Sequence, residues 1–359
     1  MTTRRGFLAG LAATGALPAN GWAEAGAPDY LAAALFPDGS FRLAGLRASG
    51  ALVFDLPLPG RGHAAAAHPV RPEAVAFARR PGRFALVIDC RTGQRIATLE
   101  ALEGRHFYGH GTFSRDGRTL FTTENDYGAG RGVIGLWDAG RSYARIGEMP
   151  SGGIGPHDMV LMPDGETLAV ANGGIETHPE TGRTKLNLPF MEPNLTYMAL
   201  DGRIEDQVTP PPGLHRNSIR HLALRGDGLL GFAMQWQGDV TTHPPLLGLH
   251  RRGMTPVFLA APEPQQARLQ GYAGSIAFSG DGSHVGITAP RGSVLHLFDV
   301  DSHAFAGAHE IEDVCGLGAG ASGFFFTAGT GLTGWLGRGR PARVAQAGCQ
   351  WDNHLVPVA

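Results

Sequence analysis

The sequence predicts an all-β protein, a single seven-bladed β-propeller closed by pairing of its N- and C-terminal strands. Three observations predict it. First, 54 glycines and 25 prolines among 359 residues punctuate the chain too often for long helices, and the apolar runs between them are of strand length. Second, an Asp-Gly turn recurs at Phe36-Pro-Asp-Gly39, Ser114-Arg-Asp-Gly117, Met162-Pro-Asp-Gly165, Arg225-Gly-Asp-Gly228 and Ser279-Gly-Asp-Gly282, mostly between two apolar runs. Asp-Gly in that setting is a strong hairpin signal. Third, superposing the segments gives a repeat of about 40–60 residues, the range of a four-stranded propeller blade.

The elements follow in order. Residues 1–23 read as a twin-arginine signal peptide. Arg4-Arg5 precede an apolar stretch from Ala9 to Leu17 and small residues around Gly21-Trp22-Ala23, a pattern of export that is too short to span a bilayer. Cleavage is expected after Ala23 or Ala25, leaving a periplasmic, monomeric propeller domain over residues 28–359. No other segment is long and apolar enough to form a transmembrane helix. Without Arg4 and Arg5 the 30 basic residues become 28 against 32 acidic ones, a net charge of −4 that argues against nucleic acid as a partner.

Inner strands are expected to start near Glu73, His110, His157, His221, Ser275 and Cys315. The seventh blade is split. Its inner strand is the C-terminal segment Asn353-His-Leu-Val-Pro357, and the runs Tyr30–Phe36, Phe41–Leu46 and Ala51–Asp55 supply the outer three. Joining the two ends removes an exposed sheet edge. The longest excursion, Asn172 to Leu195, lies between the second and third strands of its blade. It therefore opens on the face where the inner strands begin.

Cys90, Cys315 and Cys349 lie far apart in an exported chain, so one disulfide plus one free thiol is the simplest expectation. There is no CxxCH for c-type haem and no CxxC. Nucleophile elbow, phosphate loop and HExxH motifs are also absent, so hydrolase chemistry is not signalled.

The histidines carry the site prediction. His110 and His221 both stand six residues before the aspartate of their Asp-Gly turns, His157 stands seven before its own, and His354 aligns with His221. His68 occupies the loop position at which other propellers use a histidine to brace the blade. The one-residue offset of His157 requires a bulge, because a shift of one residue reverses the facing of a strand side chain. Neutral imidazole is the commonest transition-metal ligand. His110, His157, His221 and His354 are the expected ligands, with His68 and His178 in support. Loops expected at the same mouth add Glu124, Asp126, Glu176 and Arg291. A ring of imidazoles on rigid strands suits copper, iron or zinc, carboxylates beside imidazoles suit iron as a hard ion, and Arg131, Arg183 and Arg291 suit an anionic chelate such as citrate.

The segments Phe107-Tyr-Gly-His-Gly-Thr-Phe-Ser-Arg-Asp-Gly117, Gly155-Pro-His-Asp158, Ala171-Asn-Gly-Gly-Ile-Glu-Thr-His-Pro179, Arg183-Thr-Lys-Leu-Asn187, Ser218-Ile-Arg-His-Leu222 and Asp352-Asn-His354 resemble a family of unknown function. Its members are twin-arginine-exported bacterial propellers, often encoded beside imelysin-type iron-uptake proteins and a di-haem, peroxidase-like oxidoreductase. The resemblance covers nearly the whole mature chain. It implies a periplasmic role in iron acquisition with those proteins as partners. A distant similarity to the propeller of nitrous oxide reductase implies a metal site but not that reaction, since no segment resembles that enzyme's cupredoxin-type copper domain.

The expected function is a non-catalytic, metal- or metal-complex-binding accessory of iron acquisition, with iron or copper as the ion. Two alternatives stand beside it: a metal-dependent periplasmic oxidoreductase, and a protein-interaction platform without a metal site.

Overall fold

Strands of about six residues, each ended by a Gly- or Pro-bearing turn, can bury their apolar faces only by stacking sheet on sheet. The computed structural model describes residues 21–79, 83–182, 184–337 and 339–358. The twin-arginine motif, the apolar run after it, and Arg183 lie outside the described residues. Six four-stranded antiparallel sheets and one sheet shared by the chain termini form the seven blades of a propeller. The innermost strands of blades 1 to 6 are Gly62–Ala67, Arg105–Phe113, Pro156–Leu161, Asn217–Leu224, Ser275–Phe278 and Val314–Ala319. In blade 7 the C-terminal strands Gln350–Trp351 and Val356–Pro357 both pair with Tyr30–Leu35, in the registers Ala34↔Trp351 and Leu31↔Val356. This is the predicted closure.

One strand differs from the sequence reading. Glu73–Ala78 is the second strand of blade 1, and Gly62–Ala67 is the innermost. The turn between them, His68-Pro-Val-Arg-Pro, has no Asp-Gly signal, and Gly-His-Ala-Ala-Ala-Ala contains no β-branched or large aromatic residue. The strand is specified by its place between two packed blades, not by its own propensity.

Apolar faces of neighbouring blades form the core. Phe77, Phe107, Phe121, Phe232, Phe298 and Phe324 are all within 2 % of complete burial, each contributing about 1.5–3 kcal/mol of transfer free energy. The glycine of every predicted Asp-Gly turn has positive φ, from 70° at Gly282 to 85° at Gly228, a region open to glycine without steric cost. These turns also brace the ring. The His68 ring reaches the Gly117 carbonyl of the next blade at 3.1 Å, Arg115 donates to the Pro163 carbonyl, and Arg225 donates to the Gly282 carbonyl at 2.8 Å.

Residues Gly21–Ala25 form a short 3₁₀ turn on this body. Trp22 is buried there, and its indole N–H donates to the His68 carbonyl at 2.9 Å. The expected disulfide does not form: Cys90, Cys315 and Cys349 are three buried free thiols. Cys315 is held instead by the Thr327 and Trp351 carbonyls, both at 3.5 Å, and burial pushes its thiol up to about 12. Among the described residues no helix is long and apolar enough to cross a membrane.

Candidate metal centre

A propeller directs the first strand of every blade at one axis, so equivalent residues of these strands meet. Five histidines do so, one from each of five blades: His63, His110, His157, His221 and His354. Ring centroids of neighbours are 4.5 Å apart for His63–His354, 4.7 Å for His110–His354, 4.7 Å for His157–His221 and 5.0 Å for His110–His157. The ligand nitrogens of His63, His110 and His354 lie within 4.8 Å of one another, as do those of His110, His157 and His221. Nitrogens bound to one ion at about 2.0–2.1 Å stand roughly 3–4 Å apart. The spacing in each triad is therefore within about an ångström per side chain of that of a single-ion site.

The backbone explains how strands of different spacing reach one point. Strand register breaks between Gly62 and Ala65, Phe107 and Gly111, Pro156 and Asp158, and Ile219 and His221. In blade 7, His354 occupies the gap between the two short C-terminal strands. Every histidine of the group thus sits in or beside an irregularity, the device that re-aims a strand side chain. The break at Pro156/Asp158 absorbs the one-residue offset of His157. Blades 5 and 6 supply no histidine to the group; the inner pairing of blade 5 is regular, and that of blade 6 shifts between Val314 and Leu317.

One ring nitrogen on each of the five, His63 Nδ1, His110 Nε2, His157 Nδ1, His221 Nδ1 and His354 Nε2, is buried with no hydrogen-bond partner. Leaving a buried imidazole nitrogen unpaired costs about 1–3 kcal/mol. His110 is oriented by Asp158, whose Oδ1 lies 3.0 Å from its Nδ1. The other Asp158 oxygen accepts from the Leu222 N–H at 3.0 Å, so one carboxylate of blade 3 links blades 2 and 4. Burial pushes this carboxyl upward, but His110 and the Leu222 amide outweigh it and hold it below the usual range. Burial lowers His63, His157 and His221 well below 6.5, assisted by neighbouring imidazoles and by the charges of Arg79 on His63 and Arg220 on His157. His354 falls to about 3 for the same leading reason. Burial thus favours the neutral form of these four rings, the form that ligates a metal.

The group separates two cavities. On one side a cavity of about 310 Å³ is lined by His63, His157 and His221 together with Arg79, Lys185, Arg220, Arg291 and several amides and hydroxyls. On the other, a cavity of about 250 Å³ touches His110, His221, His354 and Asp158, and its remaining lining is mostly aliphatic.

Of the residues expected at the site, His110, His157, His221 and His354 come together and Arg291 lines the cationic mouth. The others do not join them. His68 lies in a blade-bracing loop with both ring nitrogens engaged, by Gly117 and by the Val70 and Arg71 amides. His178 caps the 3₁₀ turn at Glu180 and packs edge-on against Tyr127. Glu124 is fully buried and bidentate with Arg145, at 2.7 and 3.1 Å. Asp126 is bound by Arg105 and Arg131, and Glu176 lies beside Gly130 in a blade 2 turn. Arg131, expected to hold an anion, is thus already committed to Asp126. His63 and Asp158 are additions. The first was hidden by the weak signal of its strand, and the second stands next to His157 on a strand already read as bearing a ligand.

Fold and site together define a seven-bladed propeller with a central histidine cluster. A family described as protein of unknown function (DUF1513) matches residues 56–358, and the chain belongs to it. No curated protein sequence matches it. Among solved structures it is similar to hydrazine synthase of Kuenenia stuttgartiensis, with 13 % identity and a TM-score of 0.61 over 89 % of this chain and 97 % of that one. At that identity the likeness concerns the fold alone.

Proposed function

We propose that this protein binds a borderline transition-metal ion, copper or zinc, at the histidine cluster on the propeller axis. The observation that carries the reading is the convergence of five buried or half-buried imidazoles, each with one unpartnered ring nitrogen. The donor set favours these ions over a bare ferric ion. Imidazole suits copper and zinc, whereas a hard ion calls for oxygen ligands, and the one carboxylate among the described residues lining the two cavities, Asp158, is engaged by His110 and Leu222.

The residues divide the work. His110 holds the ion with either His63 and His354 or His157 and His221, Asp158 fixes the tautomer and orientation of His110, and the register breaks pre-set the ring directions. Carboxylate partners of this kind raise ligand basicity and are worth about 10–100-fold in metal affinity. Export by the twin-arginine route, after folding, would let the site load before translocation. A periplasmic role in metal acquisition beside imelysin-type and di-haem peroxidase-like partners completes the proposal.

The test is metal content, measured on the purified protein before and after loading with Cu(II) or Zn(II), for the native chain and for the His110→Ala, His221→Ala double variant. The native chain should retain at least one ion and the double variant almost none, with both folded by circular dichroism. Near-zero metal in both after loading would overturn the reading.

A further inference from the structure

The cavity on the side of His63 and His157 has a feature that metal binding alone does not require. Its lining contains four cationic side chains and, among the described residues, no carboxylate. The cations come from separate parts of the ring: Arg79 follows the second strand of blade 1, Lys185 lies on the long excursion of blade 3, Arg220 belongs to the inner strand of blade 4, and Arg291 stands after the second strand of blade 5. Lys185 is the one lysine in the chain. Its excursion passes over this opening, where the ammonium donates to Gln237.

Several of these groups are held in place. Arg291 lies over the Tyr272 ring at 4.6 Å, and Arg79 is tethered at 3.2 Å by Asp352, a buried carboxylate that also takes Arg61 at 2.9 Å. Gln235 and Gln237 are fixed by the Ala273 and Gln235 carbonyls respectively. Asn353 donates to the Tyr272 hydroxyl at 3.1 Å. Cations focused in a concave, partly desolvated mouth attract an anion and raise its local concentration. Because they surround the opening from four blades, a compact anion engages only a subset, whereas charges spread over a small carbon frame meet several at once. Arginine pairs with carboxylates through two parallel hydrogen bonds.

We infer that this mouth binds a small polycarboxylate, which reaches the ion held by the histidines and shares an oxygen with it. The inference rests on the metal reading for its last clause. The opposite cavity cannot serve this ligand, because Ala64–Ala67, Met159, Val160, Ile276 and Leu317 line it.

Calorimetric titration with citrate, and with inorganic phosphate as a compact anion, tests the inference on the full chain in metal-free and zinc-loaded form. Citrate should bind the zinc-loaded protein, with zinc retained, at least tenfold more tightly than phosphate does. The Arg220→Gln, Arg291→Gln double variant should lose at least tenfold in citrate affinity at unchanged zinc stoichiometry, and Lys185→Gln, at an exposed position, about two- to fivefold. Unchanged citrate affinity in the arginine variant, phosphate binding as tight as citrate, or removal of zinc without a protein–citrate complex would each overturn it. The two readings fail separately. Arginine-dependent citrate binding to a protein that takes no zinc keeps the anion mouth and discards the metal, and zinc retention without citrate binding does the reverse.

Discussion

The histidines on the propeller axis and those within the blades are both largely buried, yet they are treated differently by their surroundings. His68 and His250 in the blades have both ring nitrogens engaged: His68 by backbone of two blades, and His250 by the Tyr197 hydroxyl at 2.8 Å and the Met254 carbonyl at 2.7 Å. The five on the axis each keep one nitrogen unpaired. Burial of an imidazole is therefore no sign of a ligand by itself. What sets the axial rings apart is an unpaired nitrogen on each and their grouping into two overlapping triads.

The sharpest way to break this contrast is to remove a blade histidine. His68→Ala deletes the bond to Gly117 and opens a cavity beside Phe113, and should cost about 2–4 kcal/mol in urea unfolding. Metal stoichiometry should stay at the native level in the folded fraction. Loss of metal without loss of stability would place His68 at the site after all.

Asp158→Asn addresses the axis alone. It removes the charge that orients His110 and should lower metal affinity by about 10–100-fold, read by competition with a chromophoric chelator. An affinity within twofold of native would show that His110 needs no such partner.

Acid should act on the blade histidines with a definite sign. Burial lowers both His68 and His296 to about 4 in the folded chain, against an ordinary value near 6.5. A depressed folded value means that the stabilising contribution is complete above pH 6.5 and is lost as pH falls toward 4. Metal-free protein should lose a few kcal/mol across that window in denaturant titrations at stepped pH, and a flat profile would contradict the burial of these rings.

The smallest effect concerns His296, a blade histidine that breaks the pattern. It is fully buried, neither ring nitrogen has a partner, and its ring packs edge-on against Phe305. His296→Leu should leave stability at pH 7 unchanged or raise it by about 1 kcal/mol and should flatten part of the acid-induced loss. Destabilisation above about 2 kcal/mol would mean that this imidazole makes a bond its neighbours do not reveal.

Much of this architecture was legible in the chain. Glycine-punctuated strands, five Asp-Gly turns with their positive-φ glycines, and an inner-strand signature repeated at the C-terminus depend on local conformational preference, which acts over a few residues. His110 and His221 were readable from a shared offset of six residues before their turn aspartates, His157 from an offset one residue longer that needs a bulge, and His354 from the likeness of its segment to that of His221. His63 was not readable, because Gly-His-Ala-Ala-Ala-Ala becomes a strand only through the blades on either side of it.

The sequence by itself thus determined the repeat and the strand positions of four of the five axial imidazoles through short-range backbone preference and turn chemistry, and pointed to the closure through the inner-strand signature repeated at the C-terminus. Only the tertiary structure decided which polar groups were already satisfied. Glu124 and Asp126 looked like oxygen ligands until arginines from other strands of their own blade claimed them. Asp158 met His110, and Arg79, Lys185 and Arg220 came to line one cavity, because ring closure brought several blades to one axis. Partner choice for a charge depends on long-range proximity, and proximity between distant segments is set by packing.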